Sequence, residues 1–401
     1  MFRTKQGFRP GVGLLVGLIL LLSVPAAEPK SHSAGGSPVK VRLLRTPNGG
    51  IQPQAVMDAR GVLHLIWFAG EPGAGDIFYA RRAPGQQDFS TPLRVNSQPG
   101  SAVALGTIRG AQLAVGKNGR VHVAWNGSQK AEPRGPAGSA PMLYARLDDS
   151  GTAFEPQRNV MQFSGGLDGG GSVAADQAGN VYVVWHGKGE QEGEAHRRVW
   201  IARSTDEGRT FAREVAAFSQ ETGACGCCGM RAFADERGDL YLLYRTATEM
   251  VSRGMFLLVS RDRGRTFRGL SLDDWKLTTC PMSSVTVAAA TGSKRPVAAW
   301  ENNGQIFFAA LDSAPGVKPL PVAAPGEGGR RKHPAVAVNE RGEMLIVWTE
   351  GTGWKKGGSL AWQVFDQKTK PVGEMETAPG VPVWGLPTVV AEKDNSFLVI
   401  Y

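Results

Sequence analysis

The sequence predicts an all-β fold, a β-propeller of four-stranded antiparallel blades, with seven blades favoured and six the alternative. Two repeats support it. The shorter is a turn phrase, S-x-D-x-G-x-T-F, found at Ser204–Phe211 and again at Ser260–Phe267, each time after an apolar run that reads as a strand. In such a turn the aspartate (Asp206, Asp262) accepts backbone N–H bonds, the glycine (Gly208, Gly264) takes the left-handed conformation, and the aromatic (Phe211, Phe267) plugs the space beneath. Ser204, Thr210, Ser260 and Thr266 complete the two phrases. Weaker copies lie upstream: Leu147–Phe154 keeps the Asp, Gly and Phe, and Arg82–Phe89 keeps only the final Phe.

The longer repeat is a turn residue followed six positions later by an aromatic, with an alternating strand between. It occurs at Gly61–Trp67, Gly119–Trp125, Gly179–Trp185, Gly238–Tyr244, Lys294–Trp300, Gly342–Trp348 and Asn395–Tyr401, with the aromatics 58, 60, 59, 56, 48 and 53 residues apart. A second apolar strand follows most of them, as in Ile77–Arg81, Met142–Arg146 and Val199–Arg203. Each period therefore reads as strands A to D of one blade, a unit that needs neighbours to bury both its faces. Five of the aromatics are Trp in one structural slot, which marks them as packing residues between blades. His64 and His122, at equivalent strand positions, are read the same way.

Taken in order, residues 1–26 read as a secretory signal: Arg3, Lys5 and Arg9 precede an apolar core at 12–22 and a small-residue cleavage site at Val24-Pro25-Ala26. The apolar stretch is short for a membrane span, so none is expected in the mature protein. Residues 27–38 are rich in Gly, Ser and Pro and read as a linker. Residues 39–401 carry the unbroken repeat and read as one propeller. The last period stops after strands at 386–391 and 396–401, leaving the early strand at 39–44 to complete it; without that completion the ring has six blades and an appended hairpin. The implied location is secreted or periplasmic.

Formal net charge is +9, falling to +6 when Arg3, Lys5 and Arg9 leave with the signal. The remaining Lys and Arg are scattered through turns without interleaved aromatics, so nucleic acid is not an expected partner. Composition says nothing of oligomeric state. Asn126-Gly127-Ser128 is a glycosylation sequon, relevant to a eukaryotic source.

All four cysteines fall within 56 residues, in Cys225-Gly226-Cys227-Cys228-Gly229-Met230 and Cys280-Pro281-Met282. Each group precedes the innermost strand of a blade, the fourth and the fifth. Because strands alternate direction, these entries and the B–C loops share one rim of the central channel. Three readings stay open. An even number of cysteines in an exported chain suggests disulfides, with Cys280 tying blade five to blade four. C-x-M in both groups, with Met230 and Met282, suggests a soft metal site for Cu(I), or thiolates alone for Zn. Vicinal cysteines suggest a reducible bond with a redox role.

The same rim gathers polar residues: Asp168, His186, Glu190, Glu192, Glu194 and His196; Arg231, Arg245, Glu249 and Arg253; Glu301, Asn302 and Asn303; Arg330, Arg331 and His333; Glu350, Trp354, Lys355 and Lys356. Carboxylates, cations and a Trp around a concavity suit a glycan or other anionic small ligand. Arg231 and Arg245 fall closest to the channel, with Arg253, Glu301, Glu350 and Trp354 as further candidates.

With these turns, the Asp boxes, and the blade period in hand, the chain resembles the sialidase superfamily of Asp-box propellers over nearly all of residues 39–401. It also looks like secreted bacterial sialidase-like proteins whose pattern includes C-x-C-C, a later C-P and a stretch like Glu350-Gly351-Thr352-Gly353-Trp354 through Gly357-Gly358. The resemblance implies an exo-glycosidase with three arginines for a substrate carboxylate, an acidic Asp and a Tyr nucleophile assisted by Glu. Arg45-Thr46-Pro47 echoes the family's Arg-Ile-Pro start, and Arg231 and Arg245 are available as the other guanidiniums. The chain departs from the pattern in its tyrosines: Tyr79, Tyr144, Tyr182 and Tyr241 lie inside strands, and Tyr244 and Tyr401 fill the Trp slot. Two functions follow as expectations: a glycan-binding propeller with or without sialidase-type hydrolysis, or a non-catalytic binding or assembly propeller with a Cys/Met metal or redox site.

Overall fold

The repeat becomes a ring because each sheet is apolar on both faces and has to bury them against two neighbours. In the computed structural model, residues 39–106, 110–290, 292–293, 295–311 and 317–401 are described; the signal and linker expected over residues 1–38, and the turn residue Lys294, lie outside them. Six sheets of four antiparallel strands and a seventh sheet of three follow one another along the chain. Their first strands are Ile51–Met57, Gln112–Val115, Gly171–Ala175, Arg231–Ala234, Thr286–Ala288, Arg331–Val338 and Thr388–Ala391. Each touches the next, and Thr388–Ala391 touches Ile51–Met57, so the ring closes at seven blades.

Closure is made by the two ends of the propeller. Thr388–Ala391 pairs antiparallel with Phe397–Ile400, and Val41–Leu44 lies parallel along the outer side of Phe397–Ile400. Backbone bonds from Thr46 N–H to Tyr401 O at 2.9 Å and from Tyr401 N–H to Leu44 O at 3.1 Å seal the junction. The strand absent from the last period is thus supplied from the other end of the repeat.

Seven apolar clusters, one at each blade interface, form the core among the described residues. Trp67, Trp125, Trp185, Trp300 and Trp348 are each no more than 2% exposed and sit in five of them. Tyr244 and Tyr401 take the slot in two others. His64 and His122 bond the hydroxyls of Tyr79 and Tyr144 at 2.9 and 2.7 Å, as buried structural histidines. Asn126 of the sequon is buried and donates its amide to Gly169 O, so it offers no glycan attachment surface.

The Asp boxes close the turns after Arg198–Ser204 and Met255–Ser260. Asp206 accepts Thr210 N–H at 2.9 Å, the Thr210 hydroxyl at 2.7 Å and the Ser204 hydroxyl at 2.7 Å. Asp262 repeats the pattern with Thr266 and Ser260. Gly208 has φ +77° and a Cβ there would meet the Tyr144 hydroxyl at 1.9 Å, so both conformation and space demand glycine. Phe211 then stacks edge-on against Tyr144, 4.9 Å between centroids. In the weaker copy Asp148, one place ahead of the motif phase, accepts Thr152 N–H, and Phe154 packs on Tyr79.

Candidate functional site

The seven first strands enclose a central channel of about 330 Å³. Alanine, valine and threonine supply most of the lining from these strands, Ala232, Thr286, Ala335 and Thr388 among them. Arg231 is the large cation among them. Its guanidinium donates to the side-chain oxygens of Gln54, at 3.1 Å, and of Gln112, which project from the first strands of blades one and two across the ring. Its Nε is buried without a partner. Burial in the ring is the one influence on its ionisation, drawing the guanidinium from 12.5 down to about 10, with no carboxylate near enough to offset it. A guanidinium held by neutral amide oxygens inside a narrow channel is an electropositive centre without a counter-ion.

Above the channel, the entry to blade four carries the cysteines. Cys225 N–H bonds Arg245 O at 3.0 Å, and Gly229 N–H bonds Ser283 O of the next blade's entry at 3.0 Å, which fixes the loop at both ends. Cys225 Sγ lies 3.3 Å from both Cys227 Sγ and Cys228 Sγ, and the three sulfurs fall within 4.8 Å of one another. Burial opposes ionisation of Cys228. Hydrogen bonds from Cys225 and Cys227, the Arg245 charge and the Ser283 backbone outweigh it and hold that thiol below the ordinary range. Hydrogen bonding with Cys225, then with Cys228, and burial raise Cys227.

An ion-pair web surrounds the loop. Glu194 accepts Arg253 at 2.8 Å, Arg197 at 3.0 Å and Gly226 N–H at 2.9 Å. Arg197 also reaches Asp168 at 2.9 Å. Arg245 donates to Arg253 O at 2.8 Å, contacts Glu301 at 3.5 Å and lies over the Trp275 ring. Glu301 additionally accepts Gly304 N–H, and burial raises its pKa. His186, fully buried, has neither ring nitrogen hydrogen-bonded, and burial lowers it to about 4.

The sequence candidates therefore divide. Arg245, Arg253 and Glu301 come together with the cysteine loop, but as partners of one another and of Glu194, and Arg245 has no free face for a ligand. Arg231 stands apart in the channel. Arg45 is exposed, stacks on Tyr401 at 4.0 Å and donates to Pro379 O, so the three arginines do not converge. Glu350 accepts Arg331 and Trp348 Nε1. Trp354 is 52% exposed and meets Trp384 edge-on beside Met282, His333 and Lys356. Met230 is buried between blades three and four. All four cysteines are free thiols, and the exposed Cys280 lies outside the trio. Sequence reading missed Gln54 and Gln112, which carry no motif, and gave no role to the contact between Glu194 and the cysteine loop.

Ring, Asp boxes and channel define a seven-bladed β-propeller. Among solved structures the chain is similar to the Hadza microbial sialidase Hz136, with 13% identity and a TM-score of 0.50 over 82% of this chain and 74% of that one. It is also similar to an ulvan lyase of a polysaccharide lyase family bound to a GlcA–Rha3S unit, with 11% identity and a TM-score of 0.50 over 86% and 88%. A fungal alcohol oxidase in complex with copper matches with 13% identity and a TM-score of 0.50 over 87% and 69%. At such identities the likeness is one of fold. No protein-family model and no curated protein matches the chain. No helix among the described residues is long and apolar enough to cross a membrane.

Proposed function

We propose that this chain is an exported binding propeller that takes an anionic ligand, an acidic glycan foremost, in its central channel on Arg231. The observation that carries the reading is the Arg231 guanidinium, placed in the channel on two neutral amide oxygens with no carboxylate near it. A carboxylate or sulfate entering the ring supplies the missing counter-charge and reaches a fork that geometry has already oriented. Export rests on the basic, apolar and small-residue pattern of residues 1–26. Acidic sugars are the first ligands to try because one propeller of similar fold is a sialidase and another was solved with a glucuronic acid unit.

Binding is favoured over hydrolysis by the tyrosines. Tyr79 and Tyr144 bond histidines, Tyr182 and Tyr241 bond Asp176 and Asp235, and Tyr244 bonds Thr222. Tyr401 lies beneath Arg45. No tyrosine lines the channel among the described residues, and burial raises the phenols of Tyr79 and Tyr241 to about 12, away from nucleophilic use at neutral pH. Calorimetric titration of the wild type and Arg231→Met with sialic acid, glucuronate oligosaccharides and inorganic sulfate tests the proposal. The expected result is one acidic saccharide bound per chain and at least ~10-fold weaker binding by the variant, the scale of one charge-assisted hydrogen bond. Equal binding by both proteins, or no binding across the panel, overturns it.

A further inference from the structure

The cysteine loop has features that neither the fold nor the channel uses. Three thiols from four consecutive residues are folded inward on one loop, their sulfurs within 4.8 Å of one another, two of them fully buried. Packing alone gives no reason to gather three sulfurs this way, since a buried thiol behaves as a small apolar group. Beside them His186 breaks the rule that buried polar groups find partners: both ring nitrogens are buried without a hydrogen bond. A Cβ built on Gly169 would lie 3.0 Å from His186 Nδ1 and 2.6 Å from Gly226 O, so the imidazole packs beside the backbone of the cysteine loop, outside the cluster the three sulfurs form.

We propose that Cys225, Cys227 and Cys228, with His186 as the fourth ligand, form a closed site for one thiophilic d10 cation, Zn(II) or Cu(I). Three thiolates and an imidazole are a donor set that structural zinc sites use, and thiolates equally suit Cu(I). Each ligating thiol gives up its proton to solvent, and the cation takes the sulfur lone pairs without oxidation or reduction. The complex keeps net negative charge, which the guanidiniums of Arg253, acting on Cys225, and Arg245, acting on Cys228, offset. Glu194 orients the loop through Gly226 N–H while holding Arg253, so the ion-pair web becomes the outer shell of the site. Cys280 is exposed and takes no part. This site is separate from the Arg231 channel, and either can fail without the other.

The test uses the full chain, purified and reduced without oxygen, given one equivalent of Zn(II) or of Cu(I), desalted and analysed for metal. The wild type and Cys280→Ser are expected to retain one ion per chain. Cys228→Ser is expected to bind more weakly by at least the ~100-fold that even an outer-shell loss can cost, and His186→Gln by ~10–100-fold. Alkylation of the native wild type, read by peptide mass with and without metal, keeps the test independent of whether the variants fold: half-buried Cys227 should be modified in the metal-free protein and protected when metal is bound, while exposed Cys280 is modified in both. The cation retained in competition between the two identifies which the site prefers. Failure of the reduced wild type to retain either metal, loss of retention in Cys280→Ser, or alkylation of Cys227 that is as fast with metal as without it overturns the site.

Discussion

Arg231→Met separates what the channel arginine does for a ligand from what it costs the fold. The drop of its guanidinium from 12.5 to about 10 corresponds, at about 1.4 kcal/mol per tenfold, to ~3 kcal/mol by which the native state disfavours the charged form. Part of the side chain still faces the channel, so solvent screening brings this to ~2 kcal/mol. Against it stand two hydrogen bonds to Gln54 and Gln112, worth ~1 kcal/mol each at most once the freed amides turn to channel water. Methionine keeps the apolar stem and adds no charge. The ligand-free variant is therefore expected to be as stable as the wild type or slightly more so, while anion binding is lost. Urea denaturation of both proteins, each with and without saturating acidic saccharide, reads the two effects together: the ligand should shift the wild-type midpoint alone. In the wild type, affinity should hold through neutral pH and fall only at alkaline pH, where burial lets the guanidinium lose its charge earlier than an exposed one would. A variant that is ~2 kcal/mol less stable yet still shifted by ligand would refute the reasoning, since Arg231 would then be a structural strut.

Three other outcomes follow from the same structure. Burial holds His122 and His333 near 3, whereas the unfolded chain titrates these groups at 6.5. The unfolded state thus takes up protons that the native state refuses: stability is full above about pH 6.5 and is lost as pH falls towards 4, by about 2 kcal/mol per histidine between pH 7 and 5, measurable as urea midpoints. Asp206→Ala or Asp262→Ala removes a carboxylate that ties its turn together and should cost ~1–2 kcal/mol by the same assay, with metal retention unchanged because these turns lie on the face opposite the cysteine rim. Deleting residues 39–46 removes the strand that pairs with Phe397–Ile400, so limited proteolysis should begin in blade seven, with the truncated chain cut faster than the full one.

The fold was legible because a propeller repeats its local chemistry. Turn glycines at Gly61, Gly119, Gly179, Gly238 and Gly342 all take positive φ, and the aromatic six places on is buried each time, so period and structure agree residue by residue. Asp206 and Asp262 act within five residues of themselves, which is why their roles could be read from the string alone. The cysteine rim was half legible. Alternating strand direction placed Cys225, Cys227 and Cys228 beside the B–C loops, but it did not say that Cys280 would turn outward or that His186 would be buried without a hydrogen-bond partner. Arg245 and Arg231 lie 14 residues apart in one blade and looked alike as anion clamps; one is consumed by Glu301 and Arg253, and the other stands uncompensated in the channel.

By itself, then, the sequence determined the blade, its turns and the packing slot of each Trp, because those depend on contacts within one period or on hydrophobic alternation along one strand. The number of blades in the closed ring, the partner of each arginine and the meeting of Arg231 with Gln54 and Gln112 were decided only in three dimensions. Their residues are separated by 119 and 177 positions, and closing the ring is what brings them to one axis. Local repeats carry no record of which side chains will face one another across a channel.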